Sequence, residues 1–248
     1  MVSAWAVNNR LVLGQVKTDE KSNEITAIPE LLDKLDIAQS IVTIDAMGCQ
    51  KEIAQKILSK GADYVLSLKG NQGTLYSAVT DLFTYALDNN FKRVHHGYCV
   101  DVEKEHGRIE KREYWLIRNE PDSEHQSSLQ WPGLKGLGMS RYTKQIKDNI
   151  TTEYRFYLAS FGDDVERFAH AVRCHWHIEI NLHWSLDVSF HEDLCRVRTG
   201  HAAQNFAIIR HIALNMLKNE TTAKIGIAAK RKKAGWDYRY LAKVLQAL

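Results

Sequence analysis

The densest chemistry in the sequence lies in Arg173-Cys-His-Trp-His-Ile-Glu-Ile-Asn-Leu-His-Trp-Ser-Leu-Asp187, where His, Trp and acidic side chains crowd together. On a helix, residues three and four apart share a face. Val172, His175, Trp176, Glu179, His183 and Leu186 then form one stripe, with a single carboxylate, Glu179, among apolar and imidazole neighbours. Such a carboxylate is costly to bury unless something positive meets it. A divalent cation is one such partner. An Arg is the other, and ion pairing is the commoner fate of a half-buried Glu. His175, Glu179 and His183 also follow i, i+4, i+8, a ligand-like spacing that would suit a His/Glu metalloenzyme using His177 as well. No His-Glu-x-x-His is present, however, and the Trp residues between suit packing.

A second carboxylate stands at the end of Ser40-Ile-Val-Thr-Ile-Asp45, a short apolar, β-branched run followed by Gly48. A continuous apolar strand reads as buried on both faces and central in a sheet. Ligands of open α/β sheets collect at the carboxyl ends of strands, where Asp45 would sit. Asp45 could equally cap the helix that starts near Gln50. Lys69 ends the next strand, Asp63 to Lys69, before Gly70, Asn71 and Gln72. Two acids converging at a sheet edge, Asp45 and Glu179, can hold Mg²⁺ or Mn²⁺, because hard cations want oxygen ligands. In phosphoryl transfer, a metal pair about 4 Å apart serves both the attacking and the leaving oxygen.

These residues need elements to position them. Met1–Val7 and Leu11–Val16, separated by Asn8-Asn9-Arg10, read as a hairpin whose turn lacks a glycine. Ser22-Asn23-Glu24 is an N-cap signal ahead of Ile25, Ile28, Leu31, Leu32 and Leu35, with Pro29 in the first turns. A helix over 50–60 closes at Gly61, and another spans about 74–87. The order so far is β-β-α-β-α-β-α. From Phe91 to Leu158 strand-like runs alternate with turns, and Pro121 and 126–128 look like loop. Within it, alternation puts Arg108, Glu110 and Arg112 on one face. Such a row could hold a phosphate backbone, or form a solvated charged edge strand. Asp163 with Glu166 resembles a capping box, and no Gly or Pro interrupts 163–198. One long helix, or one broken near Val188, follows. An apolar-periodic helix over 202–218 carries Ile208, Ile212, Leu214 and Leu217. Lys230-Arg-Lys-Lys233 then reads as a solvated basic face or a phosphate contact ahead of a last helix over 238–248.

Composition sets the outer bounds. The 248 residues, 44% hydrophobic and 25% charged, suffice for one to two globular domains. A net charge of +3 is too small to argue nucleic-acid binding, so any such claim rests on local patches. No apolar run approaches the ~18 residues needed to cross a bilayer, and no signal-peptide pattern opens the chain. Cys49, Cys99, Cys174 and Cys195 are far apart and form no C-x-x-C pair, as expected of reduced thiols in a cytoplasmic protein.

Several motifs occur in a fixed order: Lys21-Ser-Asn-Glu24, Thr43-Ile-Asp-Ala-Met-Gly-Cys-Gln50, Lys69-Gly-Asn-Gln72, His106-Gly-Arg-x-Glu-x-Arg112, and His175-Trp-His-Ile-Glu179 with Leu182-His-Trp-x-Leu-Asp187. Together they resemble the H-repeat-associated insertion-sequence transposases of the DDE superfamily, over essentially the whole chain. The resemblance implies an α/β fold with an RNase H-like core and a β-rich insertion before the C-terminal catalytic helix. Residues 1–90 would supply the N-terminal part of the core, 91–160 the insertion, and 161–248 the C-terminal helical part. It implies DNA transposition and recombination by metal-dependent strand cleavage and joining, with Mg²⁺ or Mn²⁺ as cofactor. Double-stranded DNA at insertion-sequence ends would be the partner, with a homodimer left open. Residue by residue, Asp45 falls on the second catalytic Asp and Glu179 on the catalytic Glu, both as metal ligands. Arg108, Arg112, Lys69 and His175 are the DNA-contact candidates. Val172, His175 and Leu186 stand where broader relatives carry Tyr, Arg and Lys. The first catalytic Asp of the family, in an Asp-Gly-Lys-like motif on a preceding strand, has no counterpart; Asp19 and Glu20 do not match it. The expectation is a truncated protein, inactive for transposition alone, with a non-catalytic DNA-binding remnant as the alternative.

Overall fold

The computed structural model describes residues 1–18, 24–92, 94–105, 107–119, 130–176 and 178–247, with backbone alone at 179 and 180. It falls into two compact units. One is contiguous, residues 24–175; the other joins 1–23 to 176–248.

The contiguous unit is built on a six-stranded sheet. Its strands are β3 (Ile41–Ile44), β4 (Asp63–Leu68), β5 (His96–Glu105), β6 (Arg108–Arg118), β7 (Gly136–Ile146) and β8 (Asn149–Ala159), ordered β3-β4-β8-β7-β6-β5. Only β3 and β4 run parallel; every other neighbour is antiparallel. The β-rich segment therefore extends the sheet that carries Asp45. Two expectations change here. Among the described residues β3 has β4 as its one paired neighbour, so it stands at the edge of this sheet with its four residues half-buried. β6 is interior, paired on both sides, so its charges do not guard an edge.

Helices cover the sheet on both faces. α1 (Glu24–Asp33) buries Ala27, Ile28, Leu31 and Leu32. The Ser22-Asn23 cap signal and Lys21 lie outside the described residues. α2 (Lys51–Ser59) connects the parallel strands and ends as expected, with Gly61 at φ 71°, where a side chain would be strained. α3 (Gly73–Asp88) packs Tyr76 and Phe83 on Phe156 of β8. Strand alternation turns Tyr157 to the opposite face. There Phe168, Ala171 and Val172 of α4 (Val165–His175) meet Val65, Tyr114, Leu116, Tyr157 and Ala159. Gly138 of β7 lies directly beneath the Phe168 ring, which a Cβ would overlap. α4 starts at Asp164, whose carboxylate accepts from the Arg167 N–H at 2.8 Å. Asp163 instead pairs with Arg118 at 3.3 Å.

The expected long helix over 163–198 does not form. After His175 the chain leaves α4, passes through a five-residue π-helical turn, Glu179–His183, and resumes as α5 (Trp184–Phe190). A π turn spaces its bonds i→i+5 rather than i→i+4, so the backbone over 179–183 departs from the regular helix that the stripe required. Among the described residues the helical run is interrupted at Trp176 and ends at Phe190, where His191 turns left-handed (φ 53°), two residues beyond the expected break near Val188.

In the second unit, β1 (Val2–Ala6) and β2 (Leu11–Val16) form the expected hairpin. Arg10 takes the left-handed position, φ 55°, that a turn glycine would have filled. The hairpin rests on α6 (Ala202–Asn219) through Asn215, whose side-chain amide accepts from Val12 N–H (3.0 Å) and donates to Val12 C=O (3.1 Å). One side chain thus stands in for a neighbouring strand. Asn215→Ala is expected to lower stability by about 2 kcal/mol, two hydrogen bonds at roughly 1 each, read from the urea midpoint. Leu182, Leu186 and Leu214 form the core with Trp5 and Val12.

α6 departs from its expected pattern: Ala207, His211, Leu214 and Leu217 are buried, whereas Ile208 and Ile212 are exposed. The basic cluster is a solvated face only in part: Lys232 and Lys233 are exposed, but Lys230 is not. It lies in α7 (Ile227–Trp236), where Lys230 is buried and donates to the carbonyls of Leu217 (3.0 Å) and Glu220. Arg231 covers Phe190, and Lys233 covers Tyr240 of α8 (Tyr238–Leu245). No helix among the described residues is long and apolar enough to cross a membrane.

Candidate active site

The parallel pair β3–β4 positions the first acid. Asp45 follows the last residue of β3 and is exposed. Its Oδ1 accepts from the backbone N–H groups of Met47 (3.1 Å) and Gly48 (3.4 Å). Asp45 thus shapes the turn after β3, and α2 itself begins at Gln50 without a side-chain cap. Gly48 packs so closely on Ile44 and Ile28 that a Cβ there would displace them, which fixes the turn from beneath.

The turn after β4 is laced to this one. Asn71 donates to the Ala46 carbonyl at 2.6 Å, and Gln72 donates to the Cys49 carbonyl at 2.9 Å. Cys49 is fully buried, which pushes its thiol up to about 12 and makes it packing rather than nucleophile. Lys69, exposed at the carboxyl end of β4, shares this rim with Asp45. Asn71 and Gln72 were not singled out as site residues. Their place in a Gly-rich turn at a parallel strand end was the available signal.

α4 is pinned to the same two strands at both its ends. Near its start, Arg167 pairs with Asp63, the first residue of β4, at 2.7 Å, and Ser160 donates to the same carboxylate at 2.7 Å. At its last residue, His175 Nδ1 lies 3.1 Å from Thr43 Oγ1 on β3. The helix therefore runs from the amino to the carboxyl ends of β3 and β4. It brings His175 to the strand end that bears Asp45. Thr43 escaped the sequence reading, although period-2 alternation puts it on the same face as Asp45. The side chain of Glu179 and the whole of His177 lie outside the described residues.

The arginines of β6 are less available than expected. Arg112 pairs with Glu103 at 2.9 Å and with the buried Glu110, and lies over the Tyr142 ring. Arg108 shares Glu110 at 2.7 Å but keeps an exposed side chain. All three sit on one face, as alternation required, yet the face is a charge-balanced network. Glu110 is its hub: burial would raise its pKa, but the Tyr142 hydroxyl and both guanidiniums more than offset this and hold it below the ordinary range.

A bound cation would find suitable chemistry at Asp45, an exposed hard-oxygen donor with one oxygen fixed by backbone. Among the described residues no group of three or more His, Cys, Asp or Glu is close enough to hold a metal ion.

This architecture agrees with comparisons to known proteins. The transposase DDE domain family matches residues 1–216. The chain is 45% identical over 249 residues to the H repeat-associated protein YhhI of Escherichia coli (strain K12), covering 99% of this chain and 65% of YhhI. The same figures hold for YbfL of that strain. YncI of Escherichia coli O157:H7 is 44% identical over 249 residues, of which the chain spans 63% of its length. The chain thus spans under two thirds of these relatives. With that family match over most of its residues and these relatives, this chain belongs to the transposase DDE domain family.

Proposed function

We propose that this chain carries catalytic machinery for cutting and rejoining double-stranded DNA at insertion-sequence ends, on an RNase H-like core with residues 91–160 as a β-rich insertion. The observation that supports this best is Asp45 at the carboxyl end of β3, on a rim laced by Asn71 and Gln72, with α4 tethered there by His175. Asp45 and Glu179 are the residues that would hold Mg²⁺ or Mn²⁺. When bound, such an ion polarises the phosphodiester and lowers the pKa of an attacking water. The chain's own residues supply the rest. Asp45 presents a preset carboxylate, Lys69 neutralises a phosphate beside it, and Thr43 and His175 fix the end of α4. His175 also contacts DNA, as do Arg108 and Arg112 on the sheet face. A homodimer and a cytoplasmic location belong to the same reading, because the substrate is DNA.

The test is Mn²⁺ titration by calorimetry on the full chain, its Asp45→Asn and its Glu179→Gln variants. Binding near millimolar or tighter that either change abolishes supports the assignment; binding that neither change affects refutes it. DNA affinity against salt separates the cations. Lys69→Ala and Arg108→Ala should each reduce the slope of log K against log salt by about 1, the loss of one phosphate contact. Arg112→Ala should change the slope less and lower the melting temperature more, since its guanidinium is committed to Glu103 and Glu110.

A further inference from the structure

The basic cluster of α7 belongs to a longer stretch that the Asp45 site does not use. Residues 221–248 hold seven Lys and Arg and a single carboxylate, Asp237. That is a net +6 in a chain of net +3, so the 220 residues before it carry −3. The excess positive charge is gathered in the segment that contains α7 and α8. Part of it is spent internally: Lys230 pairs with the buried Glu220 at 3.7 Å, Arg231 covers Phe190, and Lys233 covers Tyr240. Among the described residues no carboxylate pairs with Lys232, Arg239 or Lys243, all of them exposed. Asp237 offers them no ion pair, because its Oδ1 caps α8, accepting from the N–H groups of Arg239 (2.9 Å) and Tyr240 (3.1 Å).

Two aromatic rings stand among these cations. Trp236, the last residue of α7, is 80% exposed, and Tyr238, the first of α8, is 87% exposed. No other large hydrophobic side chain among the described residues is as exposed. Two residues apart, their Cα atoms lie within about 7 Å of each other. Helical spacing places Ala229, Lys232, Lys233 and Trp236 on one outward stripe of α7, and Arg239, Ala242 and Lys243 on one of α8. The inward residues anchor the corner: Ile227 and Ala234 of α7 pack with Leu217, Tyr240 and Val244. Rings held out among unpaired cations suit a ligand that offers flat faces and repeated negative charge. Unpaired bases on a phosphodiester strand offer both, whereas a duplex hides its base faces in the stack. An anionic membrane fits less well. A helix lying in that interface needs a continuous apolar face, and the outward stripe of α7 has two lysines and one ring.

We propose that the Trp236–Tyr238 corner of α7 and α8 is a binding site for single-stranded nucleic acid. Neighbouring bases stack on the two rings, and Lys232, Arg239 and Lys243 meet the phosphates of the same strand. The corner and Asp45 lie in different units, so the strand is held here whether or not Asp45 holds a metal.

The probe is a labelled dT oligonucleotide of about 12 residues, compared by fluorescence anisotropy with an abasic strand of the same length, on the full chain. Trp236→Ala and Tyr238→Ala should each weaken dT binding about tenfold and leave the abasic strand's affinity unchanged. Lys232→Ala and Arg239→Ala should weaken both strands, each lowering the slope of log K against log salt by about 0.7. Both rings lie outside the core, so the melting curve should not move. If an alanine variant does shift it, Trp236→Phe against Trp236→Leu decides: the first should keep most of the dT affinity and the second should not. Mn²⁺ binding should be the same in Trp236→Ala as in the wild type, so failure here would leave the Asp45 reading standing. Aromatic variants that bind dT as tightly as the wild type overturn the proposal. Equal weakening for the dT and abasic strands does so too. Binding to phosphatidylserine vesicles that Trp236→Ala abolishes, with dT affinity unchanged, overturns it in favour of a membrane surface.

Discussion

Gly138→Val is expected to be among the most destabilising single changes in the contiguous unit. A Cβ at Gly138 would overlap the edge of the Phe168 ring, and that ring has nowhere to go. Phe168 is fully buried, with edge-on contacts to Tyr157 at 5.5 Å and Tyr114 at 6.4 Å. Overpacking of a filled core typically costs about 1–3 kcal/mol and sometimes more. Gly138→Ala should fall in that range and Gly138→Val above it, both measured as urea midpoints at constant m. The cause is separable from backbone entropy by a double-mutant cycle with Phe168→Leu. Relief of the clash makes the pair less destabilising than the sum of the singles, by at least about 1 kcal/mol. Strict additivity would place the cost in the strand backbone instead. Because α4 is seated through this ring, the damage should reach the rim: the contact between His175 and Thr43 would loosen, and Mn²⁺ binding at Asp45 would weaken with it.

Arg141→Met should have a comparable effect in the outer part of the sheet. Glu113 of β6 is only 3% exposed and receives Arg141 through two bonds of 2.8 Å, Lys111 at 2.9 Å and the Tyr98 hydroxyl at 2.9 Å. Arg141 in turn lies 5.0 Å above the Trp115 ring. Removing Arg141 leaves the buried Glu113 with Lys111 and the Tyr98 hydroxyl but without its two-bond partner, a loss of about 3 kcal/mol, whereas replacing both members of the pair by apolar residues is far milder. The double variant Glu113→Leu/Arg141→Met should accordingly be more stable than Arg141→Met alone. The pH dependence has a definite sign. Burial would push the Glu113 carboxyl up, but Arg141, Lys111 and Tyr98 more than offset it and hold it at about 2. The unfolded chain protonates near the ordinary value of about 4.3. The stabilisation is therefore complete above that value and is lost as pH falls from there towards 2. Acid titration of the melting temperature should show this loss in the wild type, and a smaller one in Glu113→Leu/Arg141→Met.

Asp45 at a strand end was legible because it follows four β-branched or apolar residues, Ile41 to Ile44. Gly61 marked the end of α2, and the hairpin was readable without a turn glycine because Asn8, Asn9 and Arg10 are all polar. What failed was decided by distant partners. Nothing in 41–44 says that only one strand will pair with it. Nothing in Lys230 says that the carbonyls of Leu217 and Glu220 will draw it inside. The apolar period of α6 was visible, but Ala207 and His211, rather than Ile208 and Ile212, face the core. Arg108 and Arg112 were placed on their common face correctly, while Glu103, brought alongside by the β5–β6 register, turned that face from basic to balanced. The break after His175 carries no Gly or Pro, so composition could not announce it.

The unit formed from 1–23 and 176–248 also sets an order of events. The bonds between Val12 and Asn215 join residues 203 apart, and β1 and β2 have their apolar partners on α5 and α6. A lone two-stranded hairpin is marginal in water. At 5–20 residues per second, the ribosome needs roughly ten to forty seconds to make the intervening chain. Throughout that interval the contiguous unit can complete itself, while β1 and β2 wait for their partners on α5 and α6. Yield in the cell should therefore depend on what shelters the amino-terminal hairpin during synthesis, and slower translation of 24–175 should lower it.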